Sequence, residues 1–93
     1  MEKVIVIMST YNGEKYVGKQ IESILGQKGV DVVLYVRDDG SKDSTINIIK
    51  QIAEEHDNVI LSAESNLGWE RSFLKALKDC PQGDYYAFSD QDD

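Results

Sequence analysis

Apolar residues along the chain come in two rhythms, short unbroken runs and helical spacing, which alternate with no internal repeat and no linker-like stretch. Val4 to Met8 runs without alternation, the mark of a strand covered on both faces, and Ser9, Thr10, Asn12 and Gly13 punctuate it. Val17, Ile21, Ile24 and Leu25 fall at i, i+4, i+7 and i+8, which predicts a helix from about Glu14 to Gln27, closed by Gly29. Val30 to Val36 is a second strand, its end marked by Arg37, Asp38, Asp39, Gly40 and Ser41. Asp43 or Ser44 then caps a helix that carries Ile46, Ile49, Ile52 and Ala53. Val59 to Leu61, reaching at most Ala63, is a third short strand, followed by the loop Glu64, Ser65 and Asn66. Trp69, Phe73, Leu74 and Leu77 supply a third helical stripe, stopped by Pro81 and Gly83. Tyr85 to Phe88 makes a fourth strand, and Ser89, Asp90, Gln91, Asp92 and Asp93 follow it.

Strands joined by crossovers of a dozen or more residues must lie parallel. The expected fold is therefore α/β, a Rossmann-like three-layer parallel sheet of about four strands with helices on both faces. Each polar cluster lies just after a strand. In an open parallel sheet ligands bind outside the carboxyl ends of the strands, so the clusters at residues 10–13, 38–41 and 90–93 are expected to share one rim.

Composition narrows the function. The chain has 93 residues, 41% hydrophobic and 29% charged, enough for one domain and not for two. Seventeen acidic against ten basic residues leave a net charge of −7, which argues against nucleic acid or an anionic membrane surface as the main partner. The single cysteine, Cys80, excludes an internal disulfide and a cysteine-based zinc site, and fits a reducing, cytoplasmic compartment. The five-residue run from Val4 to Met8 is the longest apolar one, too short to cross a bilayer or to form a signal-peptide core.

The candidate chemistry lies on the rim. Asp90 and Asp92, two apart at a strand end, would point to one side roughly 6.6 Å apart along an extended chain. Carboxylates so placed suit a hard cation, and Mg²⁺ or Mn²⁺ is often held by one or two carboxylates together with substrate phosphates. A solvated acidic tail has the same composition. Asp38 and Asp39 before Gly40 and Ser41 fit an ordinary turn as well as an acceptor for a base N–H or a ribose hydroxyl. Tyr11 can stack on a base or simply pack. Arg71, one turn into the third helix, can face a phosphate or form a surface ion pair. His56 fits a surface position at a helix end, Trp69 core or interface, and Cys80 a small buried apolar residue.

Taken together, STYNGEKYVGKQIESIL at residues 9–25, VRDDGSKDST at 36–45, NLGWERSF at 66–73 and FSDQDD at 88–93 resemble the family 2 glycosyltransferases of the GT-A fold. The likeness is nearest to rhamnosyltransferase-like members. It implies a nucleotide-sugar donor, UDP- or dTDP-linked, a divalent Mn²⁺ or Mg²⁺ ion, and transfer of the sugar to an acceptor hydroxyl with inversion, in glycan or polysaccharide synthesis. By position, Thr10, Tyr11 and Asn12 match the nucleoside pocket and Asp39 the acid at the base or ribose. Asp90 matches the first acid of the D-x-D motif, near ribose and sugar, and Asp92 the metal-binding acid, with Asp93 as helper. Asn66, Gly68 and Arg71 match a segment bordering the donor sugar and phosphates. Ser9 stands in place of a proline common in the wider family, and Ser72 in place of an Asn.

In the resembling enzymes a second half follows the D-x-D motif with the acceptor site and the general base, so no catalytic residue is assigned here. Residues 1–93 are expected to form a single nucleotide-sugar-binding domain, truncated after the motif and inactive alone. Membrane association of the complete enzyme would rest on segments outside this chain. Apolar surface and a sheet edge left exposed predict self-association. The alternative is a non-catalytic nucleotide-binding module with the same rim. A nucleotidyltransferase would want a basic, Gly-rich loop where residues 9–13 lie, and a dinucleotide oxidoreductase a G-x-G-x-x-G after Met8.

Overall fold

The computed structural model describes residues 1–90, with Asp90 described as backbone. Its elements run β1 (Lys3–Thr10), α1 (Val17–Leu25), β2 (Asp31–Asp39), α2 (Thr45–Glu55), β3 (Val59–Glu64), α3 (Trp69–Asp79) and β4 (Tyr85–Asp90). The four strands form one parallel sheet in the order β3-β2-β1-β4. The Rossmann-like α/β sheet expected from the two rhythms is what forms.

Period-two alternation divides each strand between two cores. Val6 and Met8 of β1 join Val32, Leu34 and Val36 of β2 beneath α1 and α2, which contribute Val17, Ile21, Ile24 and Ile49. Ile5 and Ile7 with Tyr35 face the other way and pack against Ala76 of α3, flanked by Val33, Phe73 and Cys80. Helices thus cover both faces, two on one side and one on the other. After α2 the chain pairs β3 beyond β2, then crosses by α3 to the far side of β1. The strand order reverses between β1 and β4.

β3 reaches Glu64, paired to Asp39 of β2, and three other boundaries differ from the pattern for physical reasons. β2 does not stop at Val36, because Arg37, Asp38 and Asp39 are paired to β1 and β3 and their charges find buried partners. Polar residues end a strand only when nothing inside satisfies them. α1 begins at Val17 rather than Glu14, because Asn12, Gly13 and Glu14 are bonded to the loop before α2. β4 runs on to Asp90, level with Ser9 of β1.

α3 also turns a different side to the sheet. Its buried residues are Ser72 and Ala76, while Trp69 is 68% and Leu74 66% exposed. Tyr35, Ile5 and Ile7 already fill the space under the helix, so the close-approaching positions are small. Burial pushes the Cys80 thiol above its ordinary value, which makes a reactive thiolate there less available.

Candidate functional site

The loops after β1 and β2 are laced together. Asn12, at φ +49°, donates its N–H to the Ser41 hydroxyl at 2.8 Å and accepts from the Lys42 N–H through Oδ1 at 2.9 Å. The Gly13 N–H donates to Thr45 Oγ1 at 2.8 Å, and the Ser44 N–H donates to Glu14 Oε1 at 2.9 Å. Asp43 accepts from the N–H of Thr45 at 2.9 Å and from its hydroxyl, so its side chain caps α2 from one position before the N-cap. Burial acts upward on the Asp43 carboxyl, but the bonds from Thr45 and Glu14 outweigh it and hold it below its ordinary value of 3.8.

Asp38 and Asp39 leave the strand on opposite faces. Asp38, wholly buried, lies on the α1 side and accepts from the hydroxyls of Thr10 at 2.8 Å and Ser41 at 2.6 Å, and from the Ser41 N–H at 2.8 Å. It is the acceptor around which the rim loop turns. Asp39, 2% exposed, lies on the α3 side and accepts from the N–H groups of Leu67 at 2.7 Å and Gly68 at 3.0 Å. Gly68 has φ +88° and ψ 154°, a conformation essentially confined to glycine, and this aims its N–H at the carboxylate.

A third donor to Asp39 is Arg37, which is 1% exposed. Its Nη1 donates to Asp39 Oδ1 at 2.5 Å and to Ser72 Oγ at 2.8 Å, and its Nη2 to the Ser65 carbonyl at 2.9 Å. Glu64 stands 3.9 Å from Nη2. Ser9 Oγ donates to Ser72 Oγ at 2.5 Å, so the two positions that depart from the wider family meet each other in space. Pairing of Ser9 with Arg37 across β1 and β2 puts both side chains under α3.

Above these groups opens a cavity of about 490 Å³, lined by Ser9, Thr10, Tyr11, Asp39, Asn66, Gly68, Trp69 and Phe73. It opens over the carboxyl ends of β1 and β2 on the α3 side, and it combines polar groups from those two strand ends with three aromatic rings, Tyr11, Trp69 and Phe73. Asn66 is fixed by donating Nδ2 to the Asp39 carbonyl at 3.0 Å. Of the residues singled out from the sequence, Thr10, Tyr11, Asp39, Asn66 and Gly68 come together here. Asn12 does not line the cavity, its main-chain N–H and side chain being committed to the loop lacing. Arg71 is exposed and does not line the cavity; it borders a smaller neighbouring depression that shares Gly68 and Trp69 with it. Asp90 reaches the same rim in the backbone register of β4. Asp92 and Asp93, the expected metal ligands, lie outside the described residues. Among the described residues no cluster of three metal-ligating side chains occurs, and no helix is long and apolar enough to cross a membrane.

Three contributors escape the sequence pattern. Arg37 reads there as punctuation, Trp69 as core or interface, and Ser72 only as a departure from the family's Asn. An arginine directly after an apolar strand and two places before an aspartate is a usable signal, since a buried guanidinium requires a carboxylate on its own face.

An open parallel sheet with its cavity at the carboxyl ends of its strands, two aspartates closing β2 and a glycine loop gripping one of them define a Rossmann-like nucleotide-binding fold, the type found in the N-terminal domain of GT-A glycosyltransferases. The chain belongs to glycosyl transferase family 2, whose family model matches residues 5–93. It is 37% identical over 91 residues to the dTDP-rhamnosyl transferase RfbG of Shigella flexneri, an alignment that takes in 92% of this chain and 32% of the relative. Chondroitin synthase of Escherichia coli is 31% identical over 90 residues, 97% of this chain and 13% of the relative. Among solved structures, S. aureus TarS 1-349 superposes with a TM-score of 0.85 at 33% identity, over 98% of this chain and 28% of that one. The same protein in complex with UDP-GlcNAc gives 0.82 at 31% identity, over 97% of this chain and 26% of that one. The chain spans about a third of the length of the first curated relatives it matches.

Proposed function

We propose that this chain is the donor-binding part of a metal-dependent, inverting glycosyltransferase that takes a sugar from a UDP- or dTDP-linked donor to an acceptor hydroxyl in glycan synthesis. The observation that carries it is the cavity at the carboxyl ends of β1 and β2, with Asp39 held in its wall by Arg37, Leu67 and Gly68. Three of roughly four lone-pair sites on that carboxylate are engaged, which leaves Oδ2 able to accept one donor from a base or ribose. Tyr11 and Trp69 offer ring faces for stacking, and Asn66 and Gly68 border the sugar and phosphates. The relatives' named donors, dTDP-rhamnose chemistry in one and UDP-GlcNAc in another, support the donor class.

Asp90, Asp92 and Asp93 are the residues that would hold the Mn²⁺ or Mg²⁺ ion. Their all-oxygen donor set suits a hard cation, and Asp90 ends a strand level with Ser9 of the cavity wall. The bound ion would stabilise charge on the leaving diphosphate. No general base or acceptor site is assigned among the described residues, and the part this chain plays in the proposal is to bind the donor.

Amide NMR titration with UDP and dTDP, with and without Mg²⁺, tests the proposal. Tyr11, Asp39 and Gly68 are expected to shift together, Asp39→Ala to abolish the response, and Asp92→Ala to remove its Mg²⁺ dependence. A folded sample in which neither nucleotide moves those amides overturns it.

A further inference from the structure

We propose that Arg37 is a positioning residue, setting Asp39 and the loop of residues 65–68 at the cavity without itself reaching the ligand. Its functional meaning rests on the donor-site proposal above.

Arg37 does not line the cavity, yet two polar groups that do depend on it. Asp39 Oδ1 takes its guanidinium directly, and Ser9 is joined to it through the Ser72 hydroxyl, which accepts from both. The same side chain holds the Ser65 carbonyl through Nη2. The β3–α3 loop is thereby fastened to the end of β2 at successive residues. Arg37 takes the Ser65 carbonyl, the Asn66 amide takes the Asp39 carbonyl, and the Leu67 and Gly68 N–H groups take the Asp39 carboxylate.

The geometry also fixes the carboxylate's rotation. Oδ1 accepts from Arg37 and Leu67 together, which leaves Oδ2, with the single Gly68 bond, as the oxygen with capacity to spare. Without the guanidinium, Oδ1 would lose its charged donor and either oxygen could turn to a ligand. Arg37 Nε is buried with no partner among the described residues, so the side chain acts through Nη1 and Nη2 alone. Burying a cation with one nitrogen unsatisfied is costly and is offset only where the remaining bonds are good. The observed bonds all converge on the cavity wall and its loop.

The test uses this chain in two measurements, amide hydrogen exchange of the free protein and its affinity for UDP with Mg²⁺. In Arg37→Met, exchange at Leu67 and Gly68 is expected to rise about tenfold relative to Leu34 in the core, with Arg37→Lys recovering part of the protection. UDP affinity is expected to fall about tenfold in Arg37→Met, but to change less than about twofold when the same substitution is made in Asp39→Asn. Unchanged exchange at Leu67 and Gly68 in a folded variant overturns the proposal. So does an equal loss of affinity in the Asp39→Asn background, since Arg37 would then act independently of Asp39. If the unsubstituted chain shows no UDP response while Leu67 and Gly68 lose protection, the positioning role stands and the donor-site proposal fails. Should Arg37→Met not fold, Ser72→Ala and Arg37→Lys carry the same exchange comparison, a rise supporting the role and its absence overturning it.

Discussion

Adjacent aspartates at the end of β2 have unlike duties because a strand sends successive side chains to opposite faces. Asp38 holds the rim loop from the α1 side, and Asp39 enters the cavity from the α3 side. Asp38→Ala is therefore expected to destabilise the chain by about 1–3 kcal/mol, since the Thr10 hydroxyl and the Ser41 N–H lose their buried acceptor. Urea unfolding measures it. Gly68→Ala is expected to cost about 1–3 kcal/mol for a different reason, because no Cβ clash exists there and only φ +88° opposes a side chain. Both aspartates were visible in the sequence as candidates, but turn chemistry and ligand chemistry use the same residues. Only the face each one occupies separates them.

At the scale of elements, the apolar rhythm placed all seven, and polar partners moved their ends. The Asp43 cap on α2 gives a pH test. Its carboxyl is held below the ordinary value of 3.8, so its contribution is complete above that pH and is lost as pH falls through the lowered value. Asp43→Asn keeps an acceptor for Thr45 and loses only the charge at the helix N-terminus, so it is expected to be less stable than the parent by about 0.3–1 kcal/mol at pH 6, with the gap closing below pH 3.8 in urea titrations at each pH. The α3 stripe of Trp69, Phe73, Leu74 and Leu77 predicts a core contribution that Leu74 does not make, being 66% exposed. Leu74→Ala is expected to change stability by less than about 0.5 kcal/mol, whereas Ala76→Leu, at a site 1% exposed, should cost about 1–3 kcal/mol by overpacking. Phe73 of the stripe does pack against the core, but small residues at close approaches carry no hydrophobic signal, which is why the stripe does not mark Ser72 and Ala76 as the buried positions of α3.

For the whole molecule, Trp69, Leu74 and Phe88 at 68, 66 and 60% exposed form an apolar groove of about 480 Å³ with Phe73. β4 pairs with β1 and, among the described residues, with no strand beyond it. An apolar groove beside an open edge is expected to make the chain associate as its concentration rises, and Leu74→Lys to reduce this, as light scattering would record. A constant monomeric mass would contradict it. The sequence by itself determined the order of elements, the parallel sheet, and the meeting of the polar clusters after β1 and β2 on one rim, because burial on a strand or helix face is written in local periodicity. Tertiary structure alone decided that Arg37 is buried against Asp39, that Ser9 meets Ser72, and that Trp69 lines the cavity while Arg71 borders a depression beside it. Those outcomes depend on strand register and on which side a crossing helix lands, relations between residues far apart in the chain that no local pattern records.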